Sequence, residues 1–461
     1  MNLIVVGRLT GESSVALTES KFIHEFFEQV RDMKPLGSDS ETTRAIRPHV
    51  LLADSTRWPE AARLAVSLSN AGIDVSAVCP SRGHPLRKIK CVRRMFPYGG
   101  FRPLDSLVAA INATEPWIII PCDERTVQHL HELHAHSSGR QKSGSKMAAL
   151  IERSLGAPES YPIVSTRYQL LNIAREEGLR VADTELINTV DDLRSWGAQR
   201  AFPWMLKADG TWAGRGIRLV HSLAEAERFF FELKKMNGAA RVIKWAMVDD
   251  DPFWVRPWWN GWQPGVAVQS YVDGSPANCA VVCAQGKVLA GIGVEVVAFK
   301  EPTGPAAIVR VVDNAEMMLC AERIARRFGL SGFFGLDFMI EHGSGAAYLI
   351  EMNPRCTPLC HLRLGRGRDM VGALAAQLSG QPLREVAPVT EKDLIAYYPG
   401  ALKCKSDLFH SSFHDVPSDE PELVEELLRP WSKQNMATII YAKAATFVRA
   451  FSRRLDLPAK G

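Results

Sequence analysis

Residues 332–355 read GFFGLDFMIEHGSGAAYLIEMNPR: two runs rich in apolar and aromatic residues, separated by His342-Gly343-Ser344-Gly345. The pattern predicts two strands joined by a short turn. A turn centred near Ser344 sets Asp337 opposite Glu351, and the two-residue period of a strand puts Asn353 on the same face as Glu351. Two carboxylates and an amide oxygen then converge, the hard-oxygen donor set that Mg2+ uses together with phosphate oxygens. Arg355 follows, with a fixed fork of donors suited to a carboxylate, a phosphate or a developing oxyanion. An amphipathic hairpin with a solvated acidic edge fits Phe338, Ile340, Leu349 and Ile350 equally well. The rest of the chain has to separate the two readings.

At 461 residues the chain has room for two or three domains, each able to bury a core. Its 46% hydrophobic and 23% charged residues are ordinary for a globular protein, and a net charge of +4 is small for this length. There is no long basic block with interleaved aromatics, which argues against a nucleic-acid partner. No apolar run reaches about 18 residues, so no membrane span is expected. The start, MNLIVVGRLTGESS, lacks a signal-peptide layout. Nine scattered cysteines suggest buried thiols in a reducing compartment, and a cytoplasmic protein is expected. Cys356, Cys360 and His361 lie close together but lack the second pair that zinc spacing requires.

Residues 1–47 read as an N-terminal extension, with a strand-like Leu3–Val6 and a helix-like stretch over 21–33. From His49 an α/β alternation begins and continues to about residue 158, predicting a small parallel sheet. HVLLA, DVSAV and WIIIP are its strands. A helix over 60–70 ends before Gly72. The first strand leads into Asp54-Ser55-Thr56 and not into a glycine fingerprint, so dinucleotide binding is not expected. GRQKSGSK (139–146) looks like a phosphate loop, but its lysine does not follow the second glycine; a flexible basic loop is expected. His129, His131, His134 and His136 precede it with a spacing that allows metal ligation, although solvated histidines at a helix end are the simpler reading. Residues 159–387 read as α+β with antiparallel strands. Thr166-Arg167-Tyr168-Gln169 has the form of a capping box. An insertion at about 242–264 holds Trp245, Trp254, Trp258, Trp259 and Trp262 around Asp249–Asp251. It is either a satellite hydrophobic cluster or a cover over substrate. Residues 388–461 read as a C-terminal helical extension, with a capped helix from Pro421, a second over 435–451 and a basic end for which weak membrane-surface contact is conceivable.

Within the second region the chemistry-bearing residues come in a fixed order. A strand delivers Lys207, a compact positive charge, to a loop with Gly210, Gly214 and Gly216, where glycines let backbone N–H groups approach phosphates. A later strand ends in Gln269-Ser270-Tyr271-Val272-Asp273-Gly274. Then come Asp337, Glu351, Asn353 and Arg355, an E-x-N-x-R ending.

This ordered set resembles the ATP-grasp superfamily, and within it the branch of carboxylate–amine or carboxylate–thiol ligases, over about residues 48–387. The resemblance implies a preceding α/β domain (48–158), a two-subdomain ATP-grasp fold (159–387) that sandwiches the nucleotide, and ATP with two Mg2+ ions (Mn2+ able to substitute). It implies that Lys207 binds phosphate, that the glycine loop closes over it, that backbone near Gln269, Tyr271 and Val272 reads adenine, and that Asp337, Glu351 and Asn353 hold metal. Arg355 would face the reacting carboxylate and phosphate. The chain departs from the pattern at Arg167, where many members carry lysine, and at Gln269, where many carry Glu. It also lacks the acid after Gly274 that would hold the ribose; Asn278 is the candidate substitute there.

The implied reaction joins small-molecule substrates. A carboxylate attacks the γ-phosphate to give an acyl phosphate and ADP, and an amine then attacks the acyl carbon, with Arg355 stabilising the oxyanion. Lys300, in AFKEPTGPA, is a further candidate contact if its loop returns to the cleft; a solvated loop lysine is the alternative. A phosphotransferase that stops at phosphorylation shares every motif, and a non-catalytic ATP-binding module is a third possibility.

Overall fold

The structure, a computed structural model, describes residues 47–429 apart from 81–82, 139–141, 209–215, 235–237, 248–251, 262–264 and 301–303. The stretches expected at 1–46 and 435–451, and Gly210, Gly214, Asp249–Asp251 and Trp262, lie outside the described residues.

The described residues form three sheets. The first holds β1 (His49–Ala53), β2 (Asp74–Cys79), β3 (Val92–Pro97) and β4 (Ile118–Pro121) in the order β3-β2-β1-β4, all parallel. Strands β1, β2 and β4 are buried on both faces because both are covered, while the edge strand β3 exposes Arg93 and Arg94. Val50 and Leu52 enter one core cluster with helix α1 (Glu60–Asn70), while Leu51 and Ala53 enter another with α2 (Pro103–Thr114), α3 (Glu124–Ser137) and α4 (Lys142–Leu155). The expected basic loop at 139–146 is therefore partly the first turn of α4.

Helix α5 (Arg167–Glu176) follows. Its Thr166 does not cap it as the sequence suggests. The Thr166 hydroxyl instead donates to the Pro162 carbonyl at 3.0 Å, because a short helical turn at Tyr161–Val164 runs directly into α5. The second sheet comprises β5 (Thr184–Ile187), β6 (Trp204–Ala208), β7 (Ile217–Val220) and β8 (Val266–Ser270), antiparallel, in the order β5-β8-β6-β7. Trp204, Leu206, Val266 and Val268 pack there against α6 (Val190–Gly197) and α7 (Leu223–Lys234).

The third sheet has seven strands: β9 (Gly274–Ala284), β10 (Lys287–Phe299), β11 (Ala306–Val312), β12 (Gly332–Glu341), β13 (Ala347–Asn353), β14 (Leu394–Tyr397) and β15 (Phe413–Asp415), in the order β13-β12-β9-β10-β11-β14-β15. The last two strands come from the stretch expected to be a helical extension. Leu394, Ile395 and Ala396 are buried and pair with Arg310, Val309 and Ile308 of β11, so apolar content made this segment a strand. The period of two is plain along β9: Cys279, Val281 and Cys283 pack on helix α8 (Ala315–Arg327), while Ala280 and Val282 join the cluster that contains α1 and α9 (Met370–Ser379). The large sheet and the first sheet thus share one apolar core, which fixes the strand ends of the first sheet against the loop that follows β13. No helix among the described residues is long and apolar enough to cross a membrane.

Candidate active site

The hairpin β12–β13 forms with Asp337 directly opposite Glu351, and a register irregularity falls immediately after Asp337. Asp337 is also opposite Asn278 of β9. Two amides hold the Asp337 carboxylate: Asn353 Nδ2 donates to Oδ2 at 3.0 Å and Asn278 Nδ2 donates to Oδ1. Arg167, at the start of α5, reaches Glu351 with both Nε (3.0 Å) and Nη2 (2.6 Å) to Oε2.

Lys207 is buried on β6. Its Nζ donates to Gln269 Oε1 at 2.7 Å, and Gln269 Nε2 donates in turn to Thr184 Oγ1 at 2.8 Å. A neutral amide, not an acid, is therefore the near partner of this lysine. Burial first, and the nearby Arg167 second, lower Lys207 to about 7. The electrostatics of the carboxylates are opposed. Burial and then the Glu351 charge push Asp337 up to about 7. Burial also opposes ionisation of Glu351, but Arg167 and Lys207 outweigh it and hold that group at about 2. Asp337, held by two amides and crowded by the Glu351 charge, has a raised proton affinity that a divalent cation would relieve. With oxygen donors only, the set fits a hard cation such as Mg2+.

Arg355 leaves β13 and points toward the first sheet. Its Nε donates to Glu124 Oε1 at 2.7 Å, its Nη1 to the Cys356 carbonyl at 2.9 Å, and its guanidinium lies 5.0 Å from the centre of the Trp58 ring. Glu124, the first residue of α3, was not singled out from the sequence. Its position directly after a parallel strand was the available signal.

The other expected positions separate. Gly216 closes the glycine loop at its base, where Ala208 N donates to the Gly216 carbonyl at 2.9 Å. Tyr271 is exposed, and it and Val272 follow β8 in the connection to β9. Asn278 lies with the carboxylates, because the register of β9 against β12 carries it there and not to a strand end. Lys300 sits in the turn between β10 and β11, its backbone N bonded to the Pro305 carbonyl, and nothing among the described residues ties its side chain to Asp337 or Glu351. The four histidines of α3 disperse to separate partners: His129 to Tyr98, His131 stacked on Tyr161, His134 to Glu152 and His136 to Glu132. No group of three or more His, Cys, Asp or Glu with a metal-binding arrangement exists among the described residues.

Part of the Trp-rich insertion docks on α3. Arg125 lies 4.4 Å from the Phe253 ring centre, His129 meets Phe253 edge-on, and Arg256 pairs with Glu132 at 2.7 Å. Trp254 is buried, whereas Trp259 is 80% exposed. The insertion is therefore in part a packed cluster, as the simpler reading expected.

Residues 237–358 match the family model of an ATP-grasp domain. Among solved structures, the chain is similar to an N5-carboxyaminoimidazole ribonucleotide synthetase (PurK) in its ADP complex, with TM-score 0.52, 14% identity, and coverage of 76% of this chain and 81% of the other. It is similar to the biotin carboxylase domain of the Hydrogenobacter thermophilus 2-oxoglutarate carboxylase in complex with MgADP, ADP and bicarbonate, with TM-score 0.53, 14% identity and coverage of 74% and 71%. An L-amino acid ligase from Bacillus licheniformis has TM-score 0.50, 14% identity and coverage of 75% and 77%. No curated protein matches the sequence. Residues 237–358 thus match an ATP-grasp domain, and the chain shares the fold of these solved structures.

Proposed function

We propose that the protein is an ATP-dependent ligase that activates a substrate carboxylate as an acyl phosphate, releases ADP and joins the acyl group to an amine. The observation that carries this reading is the cross-strand pair Asp337–Glu351, flanked by Asn353 and with Lys207 close enough to lower the proton affinity of Glu351. Similarity to nucleotide-bound ligases of the same fold supports it.

In this reading Asp337, Glu351 and Asn353 would hold Mg2+, which when bound neutralises charge on the transferring phosphoryl group. Arg167, which forks Glu351 here, would turn part of its fork to phosphate. Lys207 takes up a proton as anionic phosphate replaces its amide partner. Arg355 exchanges Glu124 for the substrate carboxylate and then stabilises the tetrahedral oxyanion. Gly216 anchors the loop over the phosphates, and the connection around Tyr271 and Val272 meets the base. The domain limits that go with this are a parallel α/β unit over 48–158 and an ATP-grasp unit from 159.

The test is to incubate the protein with Mg-ATP and a pool of amino acids and small carboxylic acids, reading nucleotide products and new masses together. ADP with a mass equal to acid plus amine minus water supports the ligase. ADP with a phosphorylated product replaces it by a phosphotransferase, and AMP excludes an acyl-phosphate route.

A further inference from the structure

The order β3-β2-β1-β4 contains a reversal. The chain builds outward from β1 to β3 on one side, then returns to place β4 on the other side of β1. In open parallel sheets the crevice outside the carboxyl ends at such a reversal is where ligands bind. Here those ends are Asp54 after β1 and Asp123 after β4. Their carboxylates are used to build the crevice walls. Asp54 accepts from Thr56 N (3.0 Å), Trp58 N (3.3 Å) and His84 Nε2 (3.0 Å). Asp123 accepts from Ser55 N (2.6 Å), Ser55 Oγ (2.9 Å) and Thr126 N (2.9 Å).

Two polar atoms of the segment that follows β1 are left over. Trp58 Nε1, a donor, and Glu60 Oε2, an acceptor, are both shielded from solvent, and neither has a hydrogen-bond partner among the described residues. A shielded polar atom without a partner is costly, so one donor and one acceptor left over two residues apart, both neighbours of Arg355, call for a ligand that satisfies both. Arg355 covers the same spot from the large sheet, over the Trp58 ring. The charged and titratable groups acting on Glu60 are Arg355, Asp54 and Arg63, with Tyr397 of β14 also near. Burial foremost, and Asp54 among these, push Glu60 up to about 7, which marks a carboxylate short of a cationic partner.

We propose that Trp58, Glu60 and Arg355 form the pocket for the acid to be activated, and that this acid is a small α-amino acid. Trp58 Nε1 and the guanidinium of Arg355 take its carboxylate, and Glu60 takes its ammonium group. This rests on the ligase reading above and adds the substrate class and two residues to it. Glu60 is one step into α1 and held by packing of that helix on the shared core, so the pocket is set by rigid elements.

The test uses the full chain with Mg-ATP, scoring ADP formation in a single turnover with each common α-amino acid as a racemate and with its des-amino carboxylic acid. ATP binding is measured separately with a fluorescent ATP analogue. At least one amino acid is expected to raise ADP formation while its des-amino counterpart does not. Glu60→Gln should raise the KM for that amino acid tenfold or more. Trp58→Phe keeps the ring beneath Arg355 and removes only the donor; it should raise the KM several-fold. Neither change should move ATP affinity, and Glu60→Asp guards against a folding defect by partly restoring the KM. Equal response to des-amino acids, an unchanged KM in a folded Glu60→Gln, or no response to any amino acid by a protein that binds ATP each overturns the proposal. A protein that binds no ATP overturns the ligase reading itself, and the pocket assignment falls with it.

Discussion

Arg167 and Glu351 are joined by a two-pronged contact, Nε and Nη2 of the arginine on the same carboxylate oxygen at 3.0 and 2.6 Å. The pair links the first turn of α5 to β13, so the helix that opens the second sheet's region is latched to the carboxylate proposed to hold metal. Lysine can keep this charge but not the fork. Arg167→Lys should raise the KM for ATP by less than tenfold, and Arg167→Ala by at least tenfold. Steady-state ADP release at varied ATP measures both; wild-type values in both variants would show that the fork and the charge are dispensable.

Removing the charge of Glu351, Asp337 or Lys207 should be far more severe. Glu351→Ala, Asp337→Asn and Lys207→Ala should each lower ADP formation by about 100-fold or more, because electrostatic stabilisation of the transferring group is the main catalytic term. Circular dichroism should show the fold retained. Turnover at the wild-type rate in any of the three would remove that residue from the site.

Stability should respond to pH through Asp337. Its folded value, about 7, lies above the unfolded 3.8. The stabilisation it contributes is complete below about 3.8 and is lost as pH rises through about 7. Glu351 acts oppositely, its contribution being present above 4.5 and lost as pH falls toward about 2. Asp337→Asn should therefore flatten the fall in Tm between pH 4 and 7, and millimolar Mg2+ at pH 7.5 should raise the wild-type Tm but not that of the variant. A steeper fall in Asp337→Asn would contradict the assignment.

Lys207 makes nucleotide affinity pH-dependent. Held at about 7 without ligand, it must gain a proton to meet phosphate above that pH. ADP affinity should drop by up to about tenfold per pH unit above 7, with proton uptake seen as a buffer-dependent heat in calorimetry. Lys207→Arg, always charged, should lose both the slope and the proton uptake.

Gly274 opens β9 where it passes β12. A Cβ there would lie 2.3 Å from the Ile340 carbonyl oxygen, which is backbone and cannot rotate away. Gly274→Ala should cost about 1–3 kcal/mol of stability as the two strands part, and it should weaken Mg2+ binding because Asp337 lies on the displaced strand. Unchanged unfolding by urea would show that the strands yield without cost.

Local pattern was enough for the hairpin. A turn centred near Ser344 and a period of two group Asp337, Glu351 and Asn353 without coordinates, although in the structure Asp337 meets Glu351 only because the register shifts by one residue between Phe338 and Asp337. The parallel start, the antiparallel second half and most strand positions were legible for the same reason: apolar alternation and turn residues are local signals. What could not be read depends on pairings across long separations. The partnership of Arg167 with Glu351, 184 residues apart, and of Lys207 with Gln269, 62 apart, comes from sheet order. The move of Asn278 to the carboxylates follows from the register of β9 on β12, and the recruitment of residues 394–415 into the large sheet from an open edge at β11. Arg355 over Trp58 and Glu124 exists because two sheets share one core. The sequence by itself determined which residues could carry the chemistry, since side-chain type and strand period are written residue by residue. The tertiary structure alone decided which of them meet, because burial against distant strands sets both their distances and their charges.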